Sequence, residues 1–409
     1  MKRSPSFYAA LLFVFVAACF LTYLITFTET DKFWRNKIDE MLATDTSEMS
    51  KGLGELADAV GERYVYEAEA ENLAEGVREG YVSALGDKYS MYMDIEEHNN
   101  YLSFIEETSG VGVGVTTIYN SENDGICVTN VYKGSPADKE IAPGDMILEI
   151  DGQDVNKLGY YGSMCKLGLG DEGSEIKLRI KRCDGTEKDV VLKKREVKVD
   201  SITSQKLKSD IGLIRIESFE NECMDDFKKE LEKLLKSGCE KFVIDVRNNP
   251  GGNIEEIFSM LDFLIGDGHL FTVYRKAGAA EPKVSKNKSV PYPMALLINE
   301  RTACGAEVFA GVLSSFDMAE LVGTKTSGKA TVQTLTELSD GSAVSLSTIK
   351  YVIGTDIDFD GKGFTPDKEV VLPAESLMKF PSLPQGEDAQ LQAAIEYLKE
   401  KTVTYSEAY

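Results

Sequence analysis

The spacing of hydrophobic positions changes along the chain, and each spacing predicts a different kind of structure. Residues 31–105 carry apolar side chains at intervals of mostly four, including Leu56, Val60 and Tyr64, which is typical of an amphipathic helix. Residues 106–197 instead contain short alternating runs such as "EIKLRIKR", separated by Gly, Asp and Pro. Such alternation predicts half-buried strands joined by turns. We therefore expect a helical segment followed by a small β-rich module.

A third pattern runs from residue 198 to residue 380. Nearly continuous apolar runs such as "KFVIDV" and "PMALLINE" alternate with amphipathic stretches such as "MDDFKKELEKLL". Strands that are apolar on both faces are typical of parallel sheets covered by helices. This segment is predicted to be an α/β core with largely parallel strands, and residues 381–409 contain a closing amphipathic helix. The predicted fold class is α+β with several domains.

The N-terminal stretch from Phe7 to Phe27 is uncharged and long enough to cross a bilayer as a helix. Lys2 and Arg3 precede it, so the positive-inside rule places the N-terminus in the cytoplasm and the remaining chain outside. A cleaved signal peptide and a lipoprotein processed at Cys19 are the alternatives, although the apolar run continues past Cys19. We expect residues 1–30 to hold the cytoplasmic N-terminus and one transmembrane anchor, with the rest extracytoplasmic at the cell membrane.

Composition removes several classes of function. The net charge is −23 and no block of basic residues occurs, so a nucleic-acid partner is not expected. The chain has only two histidines, His98 and His269, so a metal site built on imidazole is not expected either. The seven cysteines show no C-x-x-C spacing and do not indicate a disulfide framework.

Three groups are expected near the carboxyl ends of the core strands, where α/β proteins place their reactive residues. The turn "RNNPGG" follows one strand, Cys304 follows another and begins a helix, and Lys329 precedes a further strand. A helix N-terminus stabilises a thiolate, and adjacent glycines expose backbone N–H groups. Each feature alone has an ordinary structural interpretation as a turn, a buried thiol or a surface lysine. Together they predict a nucleophile, oxyanion donors and a base.

Several segments, in order, resemble the C-terminal processing peptidases (tail-specific proteases), a family of exported Ser-Lys endopeptidases with an internal PDZ domain. The matching segments are "LGDKYSMYM", "GVGVGV", "IGLIRIESF", "IDVRNNPGG", "GKATVQ", "DGKGFTPD" and "EDAQLQAAIEYL". The resemblance implies a helical N-terminal cap at 31–105, a PDZ domain at 106–197 and an α/β peptidase core at 198–380. That core would be of the ClpP/crotonase-like type, followed by the C-terminal helix at 381–409.

The resemblance also implies roles for particular residues. The family's nucleophile block runs S-A-S-A-S-E, and "TACGAE" aligns with it so that Cys304 takes the position of the nucleophilic serine. Lys329 lies 25 residues later, at the catalytic lysine, and Gln333 matches the glutamine that orients this lysine. The oxyanion hole is expected at the backbone N–H groups of Gly251, Gly252 and Gly305. Peptide binding by the PDZ domain is expected at Gly110, Val111, Gly112 and Val113.

A cysteine at the serine position changes the expected chemistry. A thiol titrates closer to neutrality than a hydroxyl, so Cys304 and Lys329 could rest as a thiolate–ammonium pair. Three interpretations follow: a natural cysteine variant that cleaves, an inactive relative that binds tails, or a deliberately changed residue. The presence of Lys329, Gln333 and the glycine turn favours the first.

The expected function is that of a membrane-tethered extracytoplasmic endopeptidase that cuts proteins near unstructured C-terminal tails held by the PDZ domain. The expected partners are protein or peptide substrates, the membrane through the N-terminal helix, and a second copy of the chain in a homodimer. No cofactor is expected. A non-catalytic tail-binding scaffold is the alternative. A histidine-dependent, trypsin-like PDZ protease does not fit, because neither histidine lies in a suitable motif.

Overall fold

The computed structural model describes residues 46–106, 110–120, 125–168, 170–197, 201–220, 222–276, 280–373, 376 and 383–402. The predicted anchor at Phe7–Phe27 lies outside these residues. Within the described ranges, no helix is both long enough and apolar enough to span a bilayer. The chain forms two compact units, one of which comprises the residues up to Val77 with Arg275–Ala279. The second unit contains all of the other residues.

The predicted helical cap is helical only in part. Helices α1 (Thr46–Arg63), α2 (Ala70–Ser83) and α3 (Ile95–Glu106) are interrupted by strand β1 (Met91–Met93). The expectation of helix throughout residues 31–105 was therefore wrong at β1. Strand β1 forms because it pairs antiparallel with residues 343–345, a long-range partner that helical spacing does not reveal.

The β-rich module that follows has its own hydrophobic core. Its main sheet has the order β3-β4-β5-β7-β8, with β6 beside β5, and a separate pair joins β2 to β9. Helix α4 packs on this sheet and contains a break at Gly159, where φ is positive. The elements are β2 (Val111–Gly112), β3 (Val115–Asn120), β4 (Gly125–Val131), β5 (Met146–Ile150), β6 (Gln153–Asp154), α4 (Val155–Gly168), β7 (Glu175–Lys181), β8 (Glu187–Lys193) and β9 (Arg195–Glu196).

The third region is an α/β core built on a six-stranded sheet of order β10-β11-β12-β15-β16-β19. All neighbouring pairs after β10–β11 are parallel, which confirms the predicted sheet type. The elements of this sheet and its helices are β10 (Ile202–Lys206), β11 (Ile211–Ile216), α5 (Cys223–Lys236), β12 (Lys241–Asp245), α6 (Ile254–Leu264), β15 (Met294–Ile298), α7 (Gly305–Ser315), β16 (Ala319–Gly323), β19 (Lys368–Glu369) and α8 (Ala389–Lys399).

A second, antiparallel sheet carries strand β1 against the core. Its order is β1-β18-β13-β14, with β17 also paired to β18. The strands are β13 (Gly268–Arg275), β14 (Ala280–Ser285), β17 (Thr331–Glu337) and β18 (Ala343–Ile353). Side chains from both sheets and from α5, α6 and α7 enclose one large apolar cluster. This packing brings the end of β15, the start of α7 and the start of β17 together.

Candidate active site

Cys304 lies at the N-terminal cap of α7, six residues after the buried strand β15 ends. Its φ of 52° is in the left-handed region, which costs a non-glycine residue conformational energy and is found most often at functional sites. The Gly305 N–H donates a hydrogen bond to the Cys304 sulfur. The Sγ atom also lies 4.0 Å from the carbonyl oxygen of Thr331, at the start of β17. The thiol thus points from the helix N-terminus toward β17.

The glycine turn after β12 lies directly against the loop that contains Cys304 and Gly305. A Cβ atom added to Gly251 would lie 2.8 Å from the Gly305 nitrogen and 3.1 Å from the Cys304 Cβ. A Cβ at Gly252 would overlap the carbonyl of Phe219, at 2.3 Å. Both glycines have positive φ, so the turn requires glycine for backbone conformation as well as for space.

The hydrogen bonds of this turn distinguish the two glycine N–H groups that are predicted for the oxyanion hole. The Gly251 N–H donates to the Asn249 side chain at 2.8 Å, and the Gly251 carbonyl accepts from the Phe219 N–H. Gly252 faces Gly305, because a Cβ on Gly305 would lie 3.6 Å from the Gly252 nitrogen. Gly252 and Gly305 are therefore the better-placed pair among the three predicted oxyanion residues.

Glu307 joins the loop that contains Cys304 to the loop that contains Lys329. The sequence interpretation assigned no role to Glu307. Its buried carboxylate accepts hydrogen bonds from four donors: Cys304 N at 3.1 Å, Thr326 Oγ1 at 2.6 Å, Gly328 N at 2.7 Å and Lys329 N at 2.8 Å. Burial raises the pKa of Glu307 despite these donors. A signal was present, because Glu at the third helical position after the cap is the capping-box spacing.

Lys329 lies in the loop between β16 and β17, with its ammonium group 5.0 Å from the ring centre of Tyr89. Lys329 interacts electrostatically with the Cys304 thiol. The expected contact of Gln333 with Lys329 is not seen in the described part of the chain. The Gln333 amide instead donates to Ser347 Oγ at 2.9 Å and to Thr331 Oγ1 at 3.3 Å. A register shift between Val332 and Gln333 accompanies this placement.

The resting protonation of Cys304 differs from the thiolate–ammonium expectation. Burial raises the pKa of the Cys304 thiol, and the opposing effects of Lys329 and of the Gly305 N–H are smaller. The neutral thiol is consequently the favoured resting form at neutral pH.

A network of buried ion pairs lies next to the glycine turn. Arg247 is 3% exposed and donates to Asp245 at 2.7 Å and to Asp388 at 2.8 Å. Asp388 is also the N-terminal cap of α8, accepting from the Leu391 N–H. Arg247 and Arg215 lower the pKa of Asp245 although burial opposes them. The sequence interpretation missed this network, because only the fold brings Asp388 to the RNNPGG turn.

The predicted peptide-binding residues lie at the edge of the β-rich module. Val111 and Gly112 form β2, which is paired with β9, while Val113 is 2% exposed and packs in the module's core. Gly110 has positive φ and accepts a hydrogen bond from the Val197 N–H. Strand β3, which begins soon after these four residues, lies at one edge of the main sheet.

The two histidines occupy other positions. His98 is buried in α3 with its Nδ1 atom 2.9 Å from the Gly341 carbonyl oxygen, and His269 Nε2 lies 2.9 Å from the Thr272 hydroxyl. The six cysteines of the described segments are free thiols. The described residues contain no group of three or more His, Cys, Asp or Glu side chains arranged to hold a metal ion.

Comparison with protein families finds three matches in chain order. Residues 16–97 match the N-terminal domain of the activating protease CtpB, residues 102–167 match the PDZ domain, and residues 210–370 match peptidase family S41. A Staphylococcus aureus (strain COL) protein described as a probable CtpA-like serine protease is 32% identical over 356 residues. That alignment covers 86% of this chain and 70% of the relative.

A Staphylococcus saprophyticus protein with the same description is 30% identical over 347 residues, which are 83% of this chain and 70% of that protein. Among solved structures, the photosystem II D1 C-terminal processing protease superimposes with a TM-score of 0.64 at 21% sequence identity. The superposition covers 81% of this chain and 92% of that protease. At this identity the structural match establishes the fold.

Proposed function

Because this chain belongs to peptidase family S41, the C-terminal processing peptidases, we propose that it cuts proteins near unstructured C-terminal tails with Cys304 as nucleophile. The observation that carries the proposal is the position of the Cys304 sulfur. It receives the Gly305 N–H, faces the turn at Gly251 and Gly252, and interacts with Lys329. A decayed site would have no reason to keep this arrangement.

The proposed reaction uses two steps. Lys329, as general base, takes the thiol proton while the Cys304 sulfur attacks the scissile carbonyl carbon. The backbone N–H groups of Gly252 and Gly305 hold the oxyanion, and the leaving amine takes the proton back from Lys329. Water then attacks the thioester carbon while Lys329 accepts its proton, the C–S bond breaks to release the new C-terminal carboxylate, and the proton returns to the Cys304 sulfur. Glu307 keeps the two loops in register because it bonds both the Cys304 and the Lys329 N–H groups.

We further propose that the PDZ domain controls this site, because it contacts the core next to the glycine turn and next to Cys304. Asn130 on β4 donates to the carboxylate of Glu217 in the core. Two residues later, Phe219 bonds both the Gly251 carbonyl and the Asn253 N–H of the glycine turn. A tail that moves the PDZ domain would therefore act on the oxyanion turn.

A second contact joins the PDZ domain to Arg301, in the loop that precedes Cys304. Arg301, three residues before Cys304, donates a hydrogen bond to the Cys127 thiol on β4. Its guanidinium also lies against Gly144 of the PDZ domain, where a Cβ would be 2.8 Å from the nitrogen. Asn130→Ala is expected to bring the rates for tailed and tailless substrates closer together. An unchanged ratio of these rates would contradict the proposed coupling.

Membrane attachment and dimerisation are also proposals. The uncharged stretch Phe7–Phe27 supports a single anchor with the peptidase outside the cell. An exposed row of apolar side chains in the cap supports a homodimer, since isolated large patches of this kind mark interaction surfaces. The row comprises Leu56, Tyr64, Tyr66, Leu73 and Val77, which are 42–74% exposed. Sedimentation of the full chain in detergent tests the homodimer.

A tail-binding scaffold without peptidase activity is the second candidate. The raised pKa of Cys304 favours it, because a neutral thiol is a weak nucleophile. Cleavage of an unfolded protein with an apolar tail decides between the two, using the full chain in detergent with reductant. The parent protein is compared with Cys304→Ala, Cys304→Ser and Lys329→Ala.

Cleavage by the parent that is lost in both alanine variants supports the Cys-Lys peptidase. If the parent does not cleave the protein but Cys304→Ser does, the site is competent and the cysteine prevents its activity. If all four proteins bind the tail and none cleaves it, the scaffold is the correct function.

A further inference from the structure

The segment Gly86–Ser90, which we name the cap turn, has no role in the mechanism above. It links α2 to β1 and is closed by Asp87, whose carboxylate accepts the Tyr89 N–H at 3.0 Å and the Ser90 hydroxyl at 2.6 Å. This geometry holds the Tyr89 side chain in a defined direction. Tyr89 is partly buried, and burial raises the pKa of its phenol.

The cap turn is hydrogen-bonded to the core beside strands β17 and β18. The Ser90 hydroxyl accepts the Ser347 N–H at 3.0 Å, and the Ser347 hydroxyl accepts the Gln333 amide at 2.9 Å. Strand β1 follows at once and pairs with β18, so that Met91 lies opposite Ser345. The position of the Tyr89 ring relative to β17 is therefore set by several independent bonds.

The face of that ring receives the proposed general base. The Lys329 ammonium lies 5.0 Å from the Tyr89 ring centre, which is within the range of an attractive cation–π interaction. Lys88 also lies over the ring, at 4.8 Å, but its side chain is exposed. An aromatic face stabilises the charged form of a lysine over the neutral amine, because only the cation interacts with the ring quadrupole.

We propose that Tyr89 is a positioning residue for Lys329, whose ring stabilises the ammonium formed when the Cys304 proton is transferred. The inference rests on the proposed Cys304–Lys329 dyad and adds a residue from the cap to it. When the pair loses one proton, the remaining proton lies either on sulfur or on nitrogen. The ring favours nitrogen, and so favours the reactive thiolate.

The other charged groups around this pair are accounted for. The Asp87 carboxylate interacts electrostatically with Lys329, and this interaction lowers the pKa of Asp87 against the opposing effect of burial. Glu307 faces both Cys304 and Tyr89, and Asp360 faces Tyr89. These carboxylates are unchanged in the variants below, so a difference between variants at position 89 reports on the ring.

The test measures alkylation of Cys304 by iodoacetamide against pH in the full chain, with each cysteine followed by peptide mass spectrometry. Tyr89→Leu is expected to slow alkylation about tenfold in the pH range where the pair has lost one proton, because less of the remaining proton then lies on the Lys329 nitrogen. Tyr89→Phe keeps the ring, and Lys88→Gln removes the exposed cation, which also forms a hydrogen bond with the Tyr89 hydroxyl. Both are expected to stay within about twofold of the parent.

Two internal controls separate this inference from other failures. Cys223 and Cys239 are each 1% exposed, so their alkylation reveals a loosened fold. Tyr89→Met, which fills the site without a ring, replaces Tyr89→Leu if that variant unfolds. Lys329→Met gives the reactivity of Cys304 without its base and reads the dyad independently of peptide cleavage.

Parent reactivity equal to that of Lys329→Met would overturn the dyad itself, and the role of Tyr89 with it. A parent faster than Lys329→Met, but matched by Tyr89→Leu or Tyr89→Met, would overturn only the role of Tyr89. A loss in Tyr89→Phe as large as in Tyr89→Leu would assign the effect to the hydroxyl and also reject the proposal.

Discussion

The PDZ domain and the peptidase core use different means to hold their strands together. In the PDZ domain, strand β7 alternates strictly between exposed charged and buried aliphatic residues, and ion pairs such as Arg179–Glu187 lie on the surface. In the core, β12 and β15 are buried on both faces, and β12 ends in the buried Asp245–Arg247 pair. The first region depends on an apolar pattern, and the second also depends on buried charges that must all be paired.

This difference assigns different tasks to the same residue types. A glycine turn in the PDZ domain closes a hairpin, whereas the glycine turn of the core carries a proposed oxyanion donor. An arginine on the PDZ surface contributes little to stability, while Arg247 connects the end of β12 to Asp388 and Gln390, which are distant in sequence. The following predictions use pairs of matched substitutions, one in each region.

The largest effect is expected at Arg247. Arg247→Leu removes a buried cation from Asp388 and from Asp245, which keeps Arg215, and should reduce the free energy of unfolding by about 3–5 kcal/mol. The matched change Arg179→Gln removes a solvent-exposed partner of Glu187 and should leave the urea midpoint unchanged. Comparable losses in both variants would show that the two regions do not differ in this way.

The next effect concerns the two kinds of glycine turn. Gly252→Ala places a Cβ 2.3 Å from the Phe219 carbonyl, and should lower kcat for tail cleavage about a hundredfold by displacing an oxyanion donor. Gly185→Ala, at a similarly positive φ in the PDZ hairpin, meets no described atom within 4 Å. It should cost stability and leave kcat unchanged. Retained kcat in Gly252→Ala would remove this turn from the oxyanion hole.

A smaller loss of activity is expected at Glu307, which bonds the N–H groups of both Cys304 and Lys329. Glu307→Gln turns one acceptor oxygen into a donor that faces existing donors, and should slow cleavage and Cys304 alkylation at least about tenfold. Glu172→Gln, at an exposed position of the PDZ domain, is the matched control and should behave as the parent does. Normal rates in Glu307→Gln would mean that the carboxylate is structural only.

The smallest effect is expected at Asp145 of the PDZ domain, and its dependence on pH is compared with that of the buried Asp245 in the core. The pKa of Asp245 is lowered by Arg247 and Arg215, so its contribution to stability exists above pH 3.8 and is lost as pH falls toward its folded pKa. Burial raises the pKa of Asp145 in the PDZ domain, and its Oδ1 atom has no partner among the described residues. Ionised Asp145 therefore costs stability as pH rises through its raised pKa.

Asp145→Asn should accordingly change the unfolding free energy by less than about 1 kcal/mol at neutral pH, in the stabilising direction. The gain should disappear in acid, where the parent carboxyl is already protonated. Asp245→Asn should destabilise strongly at neutral pH and less in acid. Urea unfolding at several pH values measures both, and a stability loss in Asp145→Asn at neutral pH would contradict the assignment.

Much of the architecture could be predicted from hydrophobic spacing. The parallel core, with α5 and α7 at their predicted places, follows from buried strands that alternate with amphipathic helices. Strand β1 could not be predicted in this way, because its three residues form a strand only against β18. The exposed apolar row of the cap carries the right helical spacing but says nothing about what covers it.

The sequence by itself determined the order of the domains, the family and the alignment of Cys304 and Lys329, since these depend on local patterns and on spacing along the chain. Only the tertiary structure decided the contacts of Glu307, Arg247 and Tyr89, and the hydrogen-bond partners of Gln333. The physical reason is that hydrogen bonds, ion pairs and ring contacts depend on distances in space. Segments as far apart as Tyr89 and Lys329 acquire such distances only when the sheets have formed.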